Sequence, residues 1–132
     1  MIVLGSTGSI GVNTLEVAKK LSISIEVLVA GNNIEILNKQ IQQHNPKVVV
    51  IADKNDVAKV NHSNVLHGED AILKVIEESS SELVVNALVG FLGLRPTLTA
   101  LTCNKRVALA NKESLVACGA FIDTSKIQPI DS

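Results

Sequence analysis

The chain has 132 residues, 46% of them hydrophobic, with eight glycines against three prolines, which suits one compact α/β domain burying roughly two-thirds of its unfolded surface. Twelve basic and thirteen acidic side chains give a formal net charge of −1 and form no block of one sign, so the footprint of a nucleic-acid or anionic-membrane partner is missing. Two phenylalanines with no tyrosine or tryptophan argue against base-stacking platforms and aromatic cages.

Met1 to Leu4 is too short and too apolar for an amphipathic helix, and the glycines after it mark it as a buried strand. Ile10, Leu15, Ala18 and Leu21 then recur at helical spacing. Ile25 to Ala30 reads as a second strand. Ile34, Leu37 and Ile41 fall on one helical face before Asn45-Pro46 stops the helix. Lys47 to Ala52 is the third strand, and the more polar Asp53 to Leu66 reads as a short helix with a minor strand. Gly68-Glu69-Asp70 opens a helix carrying Ile72, Val75 and Ile76. After a polar loop come a strand at "LVVNALVG", a helix from about Pro96 to Thr102, a strand from Arg106 to Ala110, a helix after Asn111, and a last strand near Ile127 to Ile130.

Strands apolar on both faces, alternating with helices, predict a doubly wound α/β domain with a mostly parallel sheet. "KIQPIDS" ends where a strand's carboxyl end is expected, so the reading treats the chain as a piece of something longer. Nothing resembles a leader or a membrane span, and Cys103 and Cys118 match neither a zinc pair nor a redox C-x-x-C. A cytoplasmic protein with reduced, structural thiols inside helices is expected.

The first strand runs into "GSTGSIG", which places Gly5, Gly8 and Gly11 three apart at a strand-to-helix turn. Such glycines let backbone approach a dinucleotide pyrophosphate, while amides at the helix start point at the anion and Thr7 and Ser9 add hydroxyls. A tight turn in any α/β protein is the alternative, and the position on the first strand of an alternating chain favours phosphate binding. The second strand ends in Gly31-Asn32-Asn33, without the carboxylate that NAD-specific domains use on the ribose. Amide and backbone donors there suit the 2′-phosphate of NADP. The same residues also make an ordinary turn.

A second concentration of polar groups, Asn111-Lys112-Glu113-Ser114, follows the strand at Arg106 on the same sheet edge. An N-cap and first helical turn explain these residues, but Lys so early opposes the helix dipole and points to an anionic or hydroxylated ligand. Asp131 closes another strand on that edge, as a loop cap or as one oxygen of a metal site needing further acids. His44, His62 and His67 form no ligand pair and read as surface residues, and Asp53 reads as a helix cap.

Taken together, "GSTGSIG", "AGNN", "ALVGFLGLRPTLTAL", "LANKESLVACG" and "PIDS" resemble the N-terminal NADPH-binding domain of the 1-deoxy-D-xylulose 5-phosphate reductoisomerase family over essentially the whole chain. The resemblance implies a Rossmann-like NAD(P)-binding domain from an enzyme that rearranges 1-deoxy-D-xylulose 5-phosphate and reduces the product with NADPH and Mg²⁺ or Mn²⁺. It implies a cytoplasmic homodimer whose catalytic and C-terminal domains lie outside this chain, so that residues 1–132 alone bind without catalysing. By the same resemblance, Thr7, Gly8, Ser9 and Ile10 hold the pyrophosphate, and Gly31, Asn32 and Asn33 meet the adenosine ribose and its 2′-phosphate. Asn111 and Glu113 contact NADPH, Lys112 and Ser132 touch substrate, and Asp131 ligates metal. Many members carry Lys where this chain has Asn32, which removes a cation from the implied 2′-phosphate site.

Three rival readings begin from the same turn. A short-chain dehydrogenase or epimerase needs a Tyr-x-x-x-Lys pair that a chain without tyrosine cannot supply. An aspartate-semialdehyde-type dehydrogenase needs a nucleophilic cysteine. An NAD(P)-sensing module needs only the pocket.

Overall fold

The computed structural model describes residues 1–109 and 127–129. Within them, seven strands form one sheet in the order β4-β3-β2-β1-β5-β6-β7, and every neighbouring pair is parallel. The strands are β1 (Ile2–Leu4), β2 (Val27–Val29), β3 (Val48–Ile51), β4 (Val65–His67), β5 (Leu83–Asn86), β6 (Arg106–Leu109) and β7 (Ile127–Pro129). The helices are α1 (Ser9–Lys20), α2 (Ile34–His44), α3 (Glu69–Glu78) and α4 (Leu94–Thr102), with a 3-10 helix over Lys54–Lys59 and a shorter one over Gly90–Gly93.

Both faces of the sheet are covered, which is why its central strands are apolar without interruption. Successive side chains point to opposite faces, so Ile2 and Leu4 join Val27, Val29, Val50 and Val84 under α3 and α4. Val3, Leu28, Val49 and Ile51 pack instead with Leu15 and Ala18 of α1 and Leu37 and Ile41 of α2. Each such fully buried aliphatic side chain contributes about 1.5–3 kcal/mol of transfer free energy. From β1 the chain winds outward to β4 and then returns through α3 to place β5 on the other side of β1. The direction of winding therefore reverses between β1 and β5, and the loops leaving their carboxyl ends diverge there.

Several boundaries differ from the sequence reading for local reasons. Leu21 lies outside α1 as its C-cap and is 65% exposed, because α1 ends at Lys20 and the chain turns through Ser22 at φ +55°. β5 stops at Asn86 because that side chain accepts from the Leu88 amide and bends the backbone away. α4 begins at Leu94, which places Pro96 in the first turn where its missing N–H goes unmissed. Asn45 does end α2, in a left-handed conformation with its amide on the Ile41 carbonyl. Asp53 caps the first 3-10 helix through the Asn55 amide.

His62 is not a plain surface residue. Its Nδ1 accepts from the Asn64 amide at 2.9 Å, which leaves Nε2–H to donate to the Pro46 carbonyl at 2.7 Å. At the amino edge of the sheet, the Glu26 carboxylate accepts from the amides and hydroxyls of Ser80 and Ser81. Lys105 caps the Ser79 and Ser81 carbonyls beside it.

Candidate functional site

The three glycines of the first turn do different work. Gly5 has φ +79°, and a Cβ there would stand 2.9 Å from the Ala87 carbonyl oxygen, so this residue permits the turn and lets the β5 loop lie against it. At Gly11 a Cβ would lie 2.1 Å from the Gly5 oxygen and 2.7 Å from the Ser6 backbone, so the third glycine lets α1 pack onto the turn. Gly8 is unlike both. It is exposed, has an ordinary φ of −77°, and its added Cβ would meet nothing among the described residues nearer than the Gly5 oxygen at 3.7 Å. The described fold does not require a glycine at position 8.

Gly8 is also the N-cap of α1, and among the described residues no side chain caps that helix. The amides of its first turn are therefore left for something else. No acidic residue lies in that turn, whereas Lys19 and Lys20 occupy the last, so the charge distribution along α1 favours an anion at its start. Thr7 is half-buried and Ser9 exposed beside these amides, with Ile10 half-buried behind them. The turn itself is pinned from below, since Gly5 and Ser6 both donate to the Val29 carbonyl at 2.8 and 3.0 Å and Ala87 donates to Leu4 at 2.9 Å.

Gly31, Asn32 and Asn33 follow β2 at the same edge and are all exposed. A Cβ at Gly31 would meet nothing among the described residues within 4 Å. Asn33 is the N-cap of α2, its Oδ1 accepting from the Ile36 amide at 3.2 Å, which leaves its Nδ2 as an outward donor. The turn reading and the ligand reading of these residues are thus compatible, because the cap uses one end of the amide only.

On the far side of the switch point, Asn86 is fully buried and donates to the Gly93 carbonyl at 2.8 Å and the Thr97 hydroxyl at 2.7 Å. It fixes the loop that carries Ala87 onto Gly5 and leaves Val89, Phe91 and Leu92 exposed. Sequence reasoning missed Asn86 and also Gln40, a buried residue of α2 whose Nε2 donates to the Ser6 carbonyl at 2.8 Å. The available signal was a polar residue at an apolar position: Asn closing the run "LVVN", and Gln beside Ile41 on the face of Leu37.

Asn111, Lys112, Glu113, Asp131, Ser132 and Cys118 lie outside the described residues, as does the helix expected after Asn111. Cys103 is exposed and sits at the C-cap of α4, not inside the helix. It precedes β6 and so lies at the sheet's amino edge, away from the glycine turn, which removes it as a nucleophile for an aldehyde dehydrogenase of the rival type. Among the described residues no group of three His, Cys, Asp or Glu side chains could hold a metal, and no helix is long and apolar enough to cross a membrane.

Known proteins share this sequence and fold. The reductoisomerase from Nautilia profundicola is 63% identical over the whole chain and that from Wolinella succinogenes 53%, this chain spanning 36% and 38% of their lengths. Among solved structures, the Zymomonas mobilis reductoisomerase in complex with NADPH superposes with a TM-score of 0.86 at 33% identity, over 98% of this chain and 38% of that one. A second, in complex with NADPH, fosmidomycin and magnesium, gives 0.87 at 28% identity over 99% and 36%. The sequence model described as 1-deoxy-D-xylulose 5-phosphate reductoisomerase matches residues 1–119, and with that match the chain belongs to the 1-deoxy-D-xylulose 5-phosphate reductoisomerase family.

Proposed function

We propose that this chain is the NADPH-binding domain of an enzyme that converts 1-deoxy-D-xylulose 5-phosphate to 2-C-methyl-D-erythritol 4-phosphate for isoprenoid synthesis, and that the catalytic and C-terminal domains belong to the remaining two-thirds of such a protein. The observation that carries the reading is the open Gly8 in front of an uncapped α1. A dinucleotide pyrophosphate supplies what both lack, an anion for the free amides and a body for the empty space. The cofactor, when bound, supplies the hydride that reduces the aldehyde intermediate.

The residues of this chain bind and orient. Thr7, Gly8, Ser9 and Ile10 take the pyrophosphate through amides and hydroxyls. Gly31, Asn32 and Asn33 receive the adenosine ribose and its 2′-phosphate, with Asn33 Nδ2 as donor and no carboxylate among these three, although Glu35 stands in the first turn of α2. Asn111 and Glu113 contact NADPH, Lys112 and Ser132 meet the sugar phosphate, and Asp131 contributes one oxygen to a Mg²⁺ or Mn²⁺ site whose other acids come from the rest of the protein. The full-length protein acts in the cytoplasm as a homodimer.

Calorimetric titration of this chain with NADPH and then NADH tests the reading. NADPH should bind more tightly, and equal affinities or a preference for NADH would refute the role of Gly31 to Asn33. In the full-length protein, Asp131→Ala should lose turnover far more than NADPH affinity. Near-normal turnover would return Asp131 to a loop cap.

A further inference from the structure

We propose that Gln40 is a positioning residue for the dinucleotide turn: by holding the Ser6 carbonyl it aims the Thr7 amide, and through α2 it ties the pyrophosphate end of the site to the 2′-phosphate end. The inference rests on the NADPH reading above and adds to it a residue that neither the glycine motif nor the helix cap contains.

Ser6 is fully buried and Gln40 is 6% exposed. Gln40 Nε2 reaches the Ser6 oxygen at 2.8 Å across 34 residues of sequence, and the Ser6 amide is already committed to Val29 at 3.0 Å. Both backbone groups of Ser6 are therefore fixed, one by β2 and one by α2. In a planar trans peptide the carbonyl and the following N–H point in opposite directions. Anchoring the Ser6 carbonyl toward α2 turns the Thr7 N–H away from α2.

Packing alone does not account for an amide at position 40. Its neighbours on the helix face are Leu37 and Ile41 in the core, where leucine would bury without any polar atom. Gln40 Oε1 and Ser6 Oγ are both buried without a partner among the described residues, so within them the pair is not kept as a fully satisfied network. Among the described residues the one bond it makes is the bond to the turn. Gln40 also stands seven residues after Asn33 on the same helix, about 10 Å along its axis, so one rigid element carries both the cap at the 2′ end and the clamp on the turn.

The test uses this chain with NADP⁺, which tolerates acid, and the variants Gln40→Leu and Gln40→Glu. Gln40→Leu should stay folded and bind NADP⁺ at least tenfold more weakly at every pH. Gln40→Glu should bind comparably weakly near pH 8, where a carboxylate offers Ser6 no donor, and should recover toward the parent as the carboxyl takes up a proton and becomes a donor. Dividing by the parent at each pH removes the titration of Glu16, Lys19, Lys39 and His44, which line the groove between α1 and α2 with Gln40. A purely structural role would give a folded Gln40→Glu variant whose affinity relative to the parent does not change with pH, and that result overturns the proposal. A ligand-free arm keeps the two readings apart: the Thr7 amide resonance of Gln40→Leu should shift and exchange faster with solvent. If it does so while the parent binds no NADP⁺, the nucleotide reading fails and the coupling to it falls. If the parent binds and Gln40→Leu neither weakens binding nor moves Thr7, the clamp fails.

Discussion

Substituting valine for Gly8 should separate binding from folding, because the structure has room for the side chain and the ligand does not. The backbone at Gly8 is extended, with ψ 172°, and the nearest atom to an added Cβ is 3.7 Å away, so the loss is confined to a poorer N-cap, about 1 kcal/mol. For a domain of this size that lowers Tm by roughly 3–5 °C. On the proposed function, the same Cβ stands where the pyrophosphate approaches. Losing two charge-assisted amide bonds, each about 1.5–3 kcal/mol, should weaken NADPH binding by at least about 100-fold. Gly11→Ala is the counterpart. Its Cβ would lie 2.1 Å from the Gly5 oxygen, so backbone must move by about 1 Å, at a cost of about 3 kcal/mol or more, and Tm should fall by roughly 10–15 °C or the protein should fail to fold. Circular dichroism gives the Tm values. NADPH fluorescence gives the affinity without background, since the chain has neither Trp nor Tyr. A well-folded Gly8→Val variant that retains NADPH affinity, or a Gly11→Ala variant as stable as the parent, would refute this division of roles.

Asn33→Ala should cost about 1 kcal/mol by removing the cap on Ile36. Asn33→Asp should keep the cap and Tm yet reduce the NADPH-to-NADH affinity ratio by about tenfold, as a carboxylate beside a 2′-phosphate is unfavourable; calorimetry with both cofactors checks this, and an unchanged ratio would remove Asn33 from that subsite. Burial pushes the Glu26 carboxyl up, but bonds from the Ser81 hydroxyl and the Ser80 and Ser81 amides, with the Lys47 charge, outweigh it and leave the pKa below its ordinary value of 4.5. With the folded value below the unfolded one, this stabilisation is complete above about pH 4.5 and is lost as pH falls through the folded value. Glu26→Gln should therefore flatten the dependence of the urea midpoint on pH between about pH 5 and 3, and an equally steep profile in the variant would assign the loss to other carboxylates.

The sequence by itself determined the type and order of most described elements, though not their ends, because strand and helix periods are local: "IVL", "VLV" and "VVVI", bounded by turn residues, read as strands buried on both faces, and Leu15 with Ala18, or Leu37 with Ile41, share a helix face. It also determined the glycine turn and its place on the first strand, and the wording of "GSTGSIG" and "ANKESLV" carried the family. Only the tertiary structure decided which strand lies beside which, and so that the turn after β1 meets the loop after β5. It alone divided the glycines, since Gly5 and Gly11 are required by backbone of Ala87, Gly5 and Ser6, while a Cβ at Gly8 would make only ordinary contact among the described residues. Gln40 and Asn86 were illegible for the same reason: each looks like a polar residue misplaced in an apolar run until its partner is known. For Gln40 that partner is 34 residues away, a distance at which no local period or propensity carries information and only the packing of α2 against the turn brings the two together.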